Sequence, residues 1–311
     1  MQARQRIILD CDPGHDDAIA MLLALASPEL DVLGITTTYG NVGLERTTLN
    51  ALKLRELAGA SVPVFAGADR PLVRDRISAE NVHGSTGLNG PQLPDPVGNV
   101  ENMHAVHFII DAVMENPGEV TLVPVGPLTN LALALRLEPR LAGAMKQVVL
   151  MGGSVDVGNT TPAAEFNILC DPHAARVVFE CGAPIVMFGL NLTHQARATP
   201  ERVQPFRTLG TRVGEVTADL LEFFKEHHLE RYGWVGAPLH DPCTVAYLIQ
   251  PELFETRSMN VTVDTTEGPG FGRTICDLYR VTRGSLNAEV ALQVDADGFF
   301  NLVTERIATY P

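Results

Sequence analysis

The sequence predicts an α/β fold with a mostly parallel central sheet, helices on both faces of that sheet, and a β-hairpin and helix appended near the C-terminus. Six short apolar, β-branched segments alternate with helical segments between residues 6 and 190. Such alternation implies right-handed crossovers and a Rossmann-like open sheet of parallel strands. Polar residues follow the ends of several of these strands, and the carboxyl edge of an open sheet is where ligands bind.

The composition is typical of a globular protein with a large core, and it argues against several classes of partner. Hydrophobic residues make up 45% of the 311 residues and charged residues 19%, with no linker or repeat, so we expect one domain over residues 1–311. The net charge of −14 and the lack of a Lys/Arg-rich run argue against nucleic acid and anionic membranes as partners. Without an apolar signal segment or a membrane-spanning stretch, we expect a cytoplasmic protein.

Four carboxylates crowd the turn between the first predicted strand, residues 6–9, and the first predicted helix, residues 18–26. They are those of Asp10, Asp12, Asp16 and Asp17. The start of a helix can stabilise one anion, Asp16 or Asp17, but four like charges repel one another. Hard oxygen ligands in a compact turn suit Ca2+ or Mg2+, so the turn predicts a metal site, with a solvated acidic loop as the alternative.

The next elements alternate as the fold class requires and frame one long loop. They are a strand at 31–38, a helix at 44–58, a strand at 62–65, a helix at 103–114, a strand at 119–125 and another helix after 130. Asn41 follows the second strand and is therefore a polar residue at the sheet edge. Loops as long as 66–102 are usually functional in a compact domain. His83 in this loop is a candidate to face a ligand, and a solvated histidine is the alternative.

The second half of the chain continues the alternation and ends in the predicted appendage. The predicted strands are 146–151, 184–190, 260–263, 272–279 and 289–294, and the predicted helices are 172–181, 200–209, 213–228, one through 246 and 248, and 299–307. Asn159, Glu165 and Asn167 fall within nine residues of a loop, a density that suits recognition of hydroxyl groups, with turn-forming residues as the alternative. His240 and Asp241 begin a short helix, where Asp241 could equally be an N-cap.

The five cysteines predict reduced, mostly buried thiols, because their number is odd and no CxxC spacing occurs. Cys11 lies inside the acidic turn. Neighbouring carboxylates raise the pKa of a thiol, so we expect Cys11 to be a packing residue.

Motifs spread along the whole chain resemble those of the inosine-uridine type nucleoside hydrolases. They occupy residues 10–17, 39–41, 81–84, 125–130, 151–153, 164–167 and 240–242. The resemblance implies Ca2+-dependent hydrolysis of the N-glycosidic bond of a ribonucleoside. It is strongest to the pyrimidine-preferring members, and it also implies a homo-oligomer, a dimer or a tetramer.

Carried over residue by residue, the resemblance implies roles for each part of the site. The implied Ca2+ ligands are Asp12, Asp17, Asp241 and the main-chain carbonyl of Val125. Position 125 is often Thr in the family, but a carbonyl ligand does not depend on the side chain. The implied ribose contacts are Asp16, Asn41, Asn159, Glu165 and Asn167, with Met151 lining the pocket and Asp10 as a support.

The chemistry of N-glycosidic hydrolysis supplies the expected mechanism. Positive charge builds on the ribose and negative charge on the departing base, so carboxylates near the sugar and donors near the base both help. We expect Asp12 to act as general base on a water held by the metal. His83 and His240 are the expected donors to the base, and His228 and Tyr232 are expected to contact a carbonyl oxygen of uracil.

Two alternatives fit the opening turn. One is a Mg2+-dependent phosphohydrolase in which Asp10 attacks phosphorus and Asp12 serves as acid or base. Its weakness is that no Lys or Arg accompanies the acids to clamp a phosphate. The other is a Ca2+-dependent protein that binds a sugar or nucleoside without turnover.

Overall fold

The structure is a computed structural model that describes residues 4–311. Its strands are β1 (Gln5–Cys11), β2 (Leu30–Thr37), β3 (Val64–Ala66), β4 (Val120–Pro124), β5 (Gln147–Met151), β6 (Ile185–Phe188), β7 (Arg197–Ala198), β8 (Ala237–Pro238), β9 (Phe254–Met259), β10 (Val261–Val263), β11 (Thr274–Cys276) and β12 (Ala288–Val294). Its α-helices are α1 (His15–Ala26), α2 (Leu44–Leu57), α3 (Glu80–His83), α4 (Ala105–Glu115), α5 (Thr129–Leu137), α6 (Leu141–Ala144), α7 (Phe166–Cys170), α8 (Pro172–Phe179), α9 (Leu190–Thr193), α10 (Pro200–Thr208), α11 (Arg212–Tyr232), α12 (Pro242–Ile249) and α13 (Ala296–Ile307).

The main sheet has eight strands in the order β3-β2-β1-β4-β5-β6-β12-β9. All neighbours in it pair in parallel except β9, which is antiparallel to β12 at one edge. Two small antiparallel pairs, β10 with β11 and β7 with β8, lie apart from it. The predicted fold class is confirmed.

Strand β1 is buried on both faces, which explains its unbroken apolar sequence. Ile7 and Leu9 belong to one core cluster together with the buried face of α1, whereas Ile8 belongs to a second cluster that includes residues of α4 and α5. Because successive side chains of a strand point to opposite faces, this division places helices on both sides of the sheet. The end of β1 therefore delivers the acidic turn to the middle of the carboxyl edge.

The C-terminal part is more closely integrated than an appendage. The hairpin of β10 and β11 is confirmed, but β12 pairs with β6 and β9 adds an edge strand that was not predicted. Helix α13 packs on α1, α10 and α12. Its buried residues Phe299, Val303 and Ile307 recur every four residues and lie in the same core cluster as α1.

Two predicted boundaries differ in ways that matter for the site. Strand β6 ends at Phe188, and Leu190 begins the short helix α9. Helix α11 continues past residue 228 to Tyr232 and is capped by Gly233, whose φ of 68° is left-handed. The loop 66–102 is irregular apart from β3 and α3. Within residues 4–311, no helix is both long and apolar enough to cross a membrane.

Replacing Phe299 by alanine tests whether α13 is part of the main core. Phe299 is fully buried, so we expect F299A to lower the free energy of unfolding by about 3–5 kcal/mol. Urea unfolding measures it, with L137A as the control. Leu137 is 63% exposed, so its truncation should cost no more than about 0.5 kcal/mol. A cost for F299A as small as that of L137A would show that α13 packs only peripherally.

Candidate active site

One cavity of about 320 Å³ lies at the carboxyl edge of the main sheet. Every predicted site residue except Asp12 lines it. The lining side chains that were predicted are Asp16, Asp17, Asn41, His83, Val125, Met151, Asn159, Glu165, Asn167, His228, Tyr232, His240 and Asp241. The fold thus brings together residues that lie more than 200 positions apart in the sequence.

Three buried carboxylates, those of Asp16, Asp17 and Asp241, form the acidic part of the cavity. Each offers an oxygen within 4.8 Å of the others. Burial first, and then repulsion by Asp17, raises the pKa of Asp16 to about 8. Burial raises the pKa of Asp17, and burial and the neighbouring acids hold the pKa of Asp241 well above its ordinary range. Three ionised carboxylates would repel one another in this buried cluster, so its stability requires bound protons or a cation.

Asp17 is oriented by main-chain and side-chain donors. Its Oδ1 accepts from the backbone N–H of Asp12 at 3.0 Å, and its Oδ2 accepts at 3.0 Å from both Gly14 N–H and Asn41 Nδ2. Asp17 therefore caps α1 and also faces the cavity. The side chain of Asp241 caps no N–H of α12, so the alternative that Asp241 is only an N-cap is wrong.

Asp12 lies behind this group rather than on the cavity wall. Its Oδ2 accepts from Asn41 N–H at 2.7 Å, and its buried Oδ1 has no hydrogen-bond partner among the described residues. A Cβ on Gly40 or Gly126 would overlap the carboxylate, so both glycines are needed for close approach. Burial and repulsion by Asp17 hold the pKa of Asp12 well above its ordinary range. The cluster of three carboxylates therefore includes Asp16, whereas the predicted set of metal ligands includes Asp12 in its place.

Asp10 supports the turn from below and is absent from the cavity wall. Its Oδ1 accepts from Thr36 Oγ1 at 2.6 Å and from Asn130 Nδ2 at 2.7 Å. Asn130 also bonds the main chain at Thr37 and Ala68. Burial raises the pKa of Asp10 to about 6. The side chain therefore joins the ends of β1 and β2 to the start of α5, in line with the expected supporting role.

The donor set fits a hard divalent cation. Three carboxylates lie together, and the unpartnered Oδ1 of Asp12 is buried beside them. The carbonyl of Val125, at the end of β4, faces the same cavity and accepts from Asn167 Nδ2 at 2.7 Å. A carbonyl oxygen has two lone pairs and keeps one for a further partner. Carboxylate and carbonyl oxygens are the ligands that Ca2+ takes in proteins.

Two of the loop residues expected to contact a sugar, Glu165 and Asn159, also accept hydrogen bonds from main-chain N–H groups of the loop. Glu165 caps α7, accepting from Asn167 N–H and, on its other oxygen, from Gly153 N–H. Burial raises the pKa of Glu165 to about 7. Asn159 Oδ1 accepts from Phe166 N–H at 2.9 Å. The turn-forming alternative is therefore correct in part for Glu165 and Asn159, whereas the Asn167 side chain donates to the carbonyls of Val125 and Met151. All three residues still line the cavity.

His83 is buried on the cavity wall, so the alternative of a solvated loop histidine is wrong. Its Nδ1 lies 3.0 Å from His15 Nδ1 and 3.2 Å from the backbone N–H of His15. Burial, and then the neighbouring His15, lowers the pKa of His83 well below its ordinary range. His15 belongs to the acidic turn, yet no role was predicted for it. Its Nε2 bonds the carbonyl of Asn89 at 2.9 Å and so ties the turn to the loop.

The last turns of α11 form the aromatic side of the cavity. His228 donates through Nδ1 to the carbonyl of Phe224 at 2.9 Å. Tyr232 stacks on Trp234 with ring centroids 4.8 Å apart. Trp234 also carries the guanidinium of Arg197 on its face, 4.3 Å from the ring centroid. The cavity contacts of Trp234 were not predicted, although it is the chain's one tryptophan and lies between two glycines.

No role was predicted from the sequence for several other residues that line the cavity. They include Asn81, Phe224, His194, His227 and Arg231. Arg231 donates to the carbonyl of Asn159 at 3.0 Å and joins α11 to the loop with the predicted sugar contacts. Arg231 precedes Tyr232, which was predicted to contact the base, but no role was predicted for Arg231 itself.

Comparison with known proteins gives one consistent family. The family described as inosine-uridine preferring nucleoside hydrolase matches residues 7–301. Pyrimidine-specific ribonucleoside hydrolase RihB of Escherichia coli O1:K1 / APEC is 45% identical over 307 residues, which are 99% of this chain and 98% of that protein.

Solved structures agree over the same length. The purine-preferring ribonucleoside hydrolase from Gardnerella vaginalis superposes with a TM-score of 0.92 at 37% identity, covering 98% of both chains. The plant nucleoside hydrolase PpNRh1 superposes with a TM-score of 0.90 at 36% identity, covering 98% of this chain and 99% of that one.

Removal of divalent cations should lower thermal stability more at about pH 8 than at about pH 4. The folded-state pKa of Asp16 is raised from 3.8 to about 8, so its protonated form stabilises the fold. That contribution is complete below the unfolded pKa and disappears as the pH rises through the folded pKa. We expect Ca2+ at about 100 times its Kd to add about 2.7 kcal/mol, which is roughly 4–8 °C in Tm.

Calorimetry of chelated and Ca2+-loaded protein at each pH isolates this effect, because the lowered pKa values of His83 and His240 act on both samples. The control is D241N, which should lose most of the Ca2+-dependent shift. Equal Tm values with and without Ca2+ at pH 8 would contradict the metal assignment.

Proposed function

The chain belongs to the inosine-uridine preferring nucleoside hydrolase family and is a ribonucleoside hydrolase, and on this premise we propose that it depends on Ca2+ and prefers uridine and cytidine. The products are ribose and the free base. The observation that carries the proposal is the cavity itself, which combines buried acids, amide side chains and buried imidazoles.

Asp12, Asp17, Asp241 and the carbonyl of Val125 would hold the cation, with Asp16 turned to the ribose. The number and variety of these oxygens favour Ca2+, which accepts six to eight flexible ligands, over the strictly octahedral Mg2+. When bound, the cation supplies positive charge that relieves the repulsion among the acids and lowers the pKa of a coordinated water.

Asp12 is the proposed general base that takes a proton from the attacking water. Its unpartnered Oδ1 is free to accept, while its Oδ2 is held by Asn41 N–H. In its ionised form this carboxylate oxygen can accept the proton. The carboxylates around it also stabilise the positive charge that develops on the ribose ring.

The proposed ribose contacts are Asp16, Asn41, Asn159, Glu165 and Asn167, with Met151 lining the pocket. Their side chains are held by hydrogen bonds to the main chain or to other acids. Residues fixed in this way pay little conformational entropy on binding and hold the sugar in a reactive orientation.

His83 and His240 are the proposed donors to the departing base, and His228 and Tyr232 are proposed to contact it. A purine can be protonated at N7, whereas a pyrimidine lacks that atom and needs a donor at a carbonyl oxygen. The E. coli relative is named pyrimidine-specific, but the Gardnerella enzyme with the same fold is named purine-preferring. The fold alone therefore does not determine the base preference. We assign that preference to the residues of α11 and of the loop at His83.

The phosphohydrolase alternative has little support in the structure. Asp10, its required nucleophile, has its Oδ1 engaged by Thr36 and Asn130, the contacts that join β1, β2 and α5. Among the described lining residues the one arginine is Arg231, and it donates to the carbonyl of Asn159. Membership of a hydrolase family also disfavours binding without turnover. The homo-oligomer, the single domain and the cytoplasmic location stay predictions.

A panel of nucleosides assayed for ribose release tests the substrate preference. We expect uridine and cytidine to have a higher kcat/KM than inosine, because the imidazole and phenol groups at the base side can reach a carbonyl oxygen. The control is ribose 5-phosphate, which should release nothing beyond background. Inosine preferred by about tenfold, or about 1.4 kcal/mol in transition-state binding, would overturn the preference while leaving the hydrolase assignment intact.

Substitution of Asp12 by asparagine tests the assigned base. We expect D12N to lose several hundred-fold or more in kcat on uridine, because the proton acceptor and one metal ligand are lost together. The matched control is C11S, in the same turn. The Cys11 thiol is buried, and its one hydrogen bond within residues 4–311 is to the carbonyl of Thr36, so C11S should stay within about threefold of the parent. Equal losses in the two variants would contradict the division of roles in this turn.

A further inference from the structure

We propose that Thr193 is a positioning residue that holds the proton of His240 on Nε2 and so fixes this imidazole as a donor toward the departing base. The inference rests on the proposed role of His240 and adds a residue to it. Thr193 Oγ1 lies 2.7 Å from His240 Nδ1. Thr193 is fully buried and His240 nearly so.

The hydroxyl selects the tautomer because it has one proton to donate. Within the described part of the chain, the Thr193 hydroxyl bonds only His240 Nδ1. If Nδ1 carried the ring proton, the hydroxyl would have to accept, and its own proton would be buried without a partner. If Nδ1 carries a lone pair, the hydroxyl donates and both groups are satisfied. The neutral ring then has its proton on Nε2.

The ring edge that carries Nε2 is the one available to a ligand. His240 lines the cavity, whereas Thr193 does not. The Nδ1 edge is occupied by the hydroxyl, so Nε2 lies on the edge turned away from Thr193. A donor there matches a carbonyl oxygen of a pyrimidine, where negative charge develops as the glycosidic bond breaks.

The small sheet of β7 and β8 explains why the two residues meet. Arg197 pairs with Pro238 and Ala198 with Ala237, and Leu239 N–H donates to the carbonyl of Ala196 at 2.9 Å. This pairing brings the segment that follows α9 alongside the segment that precedes α12 and sets Thr193 against His240. The two-residue strands therefore bring about the contact between Thr193 and His240 at the site.

His228 and His83, the other imidazoles proposed at the base, are not fixed as donors in this way. His228 donates from Nδ1 to the carbonyl of Phe224, so its neutral form has a lone pair on Nε2. His83 Nδ1 faces both the backbone N–H of His15, which requires a lone pair, and the Nδ1 of His15. The backbone N–H of His15 favours a lone pair on His83 Nδ1, whereas the Nδ1 of His15 favours a proton there. The one side-chain hydrogen bond of His240 among the described residues favours a single tautomer.

Nitrogen-15 NMR of the full-length protein labelled at histidine tests the tautomer directly. The signals of His240 are identified by their loss in H240A. We expect the parent to show a protonated Nε2 and an unprotonated Nδ1, and T193V to shift His240 toward the other tautomer. A proton on Nδ1 of His240 in the parent would overturn the proposal.

Steady-state kinetics with uridine tests the consequence. We expect T193V to lower kcat about tenfold or more with KM within about twofold, since a donor needed mainly in the transition state is lost. T193S keeps the hydroxyl and should restore most of the activity. The matched control is T121V, because Thr121 is fully buried in β4 and its hydroxyl has no partner among the described residues. A kcat for T193V equal to that of T121V would contradict the role.

A double-mutant cycle separates positioning from a merely structural effect. In the H240A background, T193V should cause no further loss of kcat. The same fold loss in both backgrounds would show that Thr193 acts independently of His240. If the parent protein fails to cleave uridine, the proposed function fails, and the NMR result alone then decides whether Thr193 fixes the tautomer.

Discussion

Repulsion among buried carboxylates is the constraint on which the rest of this structure depends. Asp12, Asp16, Asp17 and Asp241 are all nearly inaccessible to solvent, where like charges act through a low dielectric. The fold lowers this cost with N–H donors from the start of α1, with both the main chain and the side chain of Asn41, and with backbone N–H groups of residues 240 and 241. Each donor also fixes the direction of a carboxylate. The hydrogen bonds that offset the repulsion in the cluster therefore also preorganise it.

The sheet and its helices bring these groups together from distant parts of the chain. Strand β1 lies between β2 and β4, so the acidic turn, Asn41 and the Val125 carbonyl leave adjacent strand ends. Asp241 arrives by a different route, because α12 packs along α1 and starts beside the same turn. A parallel sheet places all its carboxyl ends on one edge, and that geometry explains why one cavity collects nearly all the predicted residues.

The sequence was sufficient for the parts that depend on local pattern. Alternating strands and helices predicted the sheet, and the density of acids at residues 10–17 predicted the acidic part of the cavity. It was insufficient where tertiary packing decides the outcome. Nothing local shows that Asp12 lies behind Asp16, because that depends on how closely Gly40 and Gly126 approach. The contact of His15 with His83, and that of Thr193 with His240, join residues 68 and 47 positions apart, and no spacing rule connects them.

Base selectivity then becomes a question about hydrogen-bond donors on one scaffold. The purine-preferring relative superposes with a TM-score of 0.92, so one fold serves enzymes named for different bases, and we propose that only the base side of the cavity differs. On that side the protein has imidazoles in different hydrogen-bonding environments. His228 is committed through Nδ1 to the main chain, and His240 is committed through Nδ1 to a hydroxyl. A carbonyl partner and a hydroxyl partner impose opposite tautomers, so identical side chains become an acceptor and a donor. With these imidazoles at the base, as proposed, the discrimination between bases depends on the groups behind the imidazoles as much as on the imidazoles themselves.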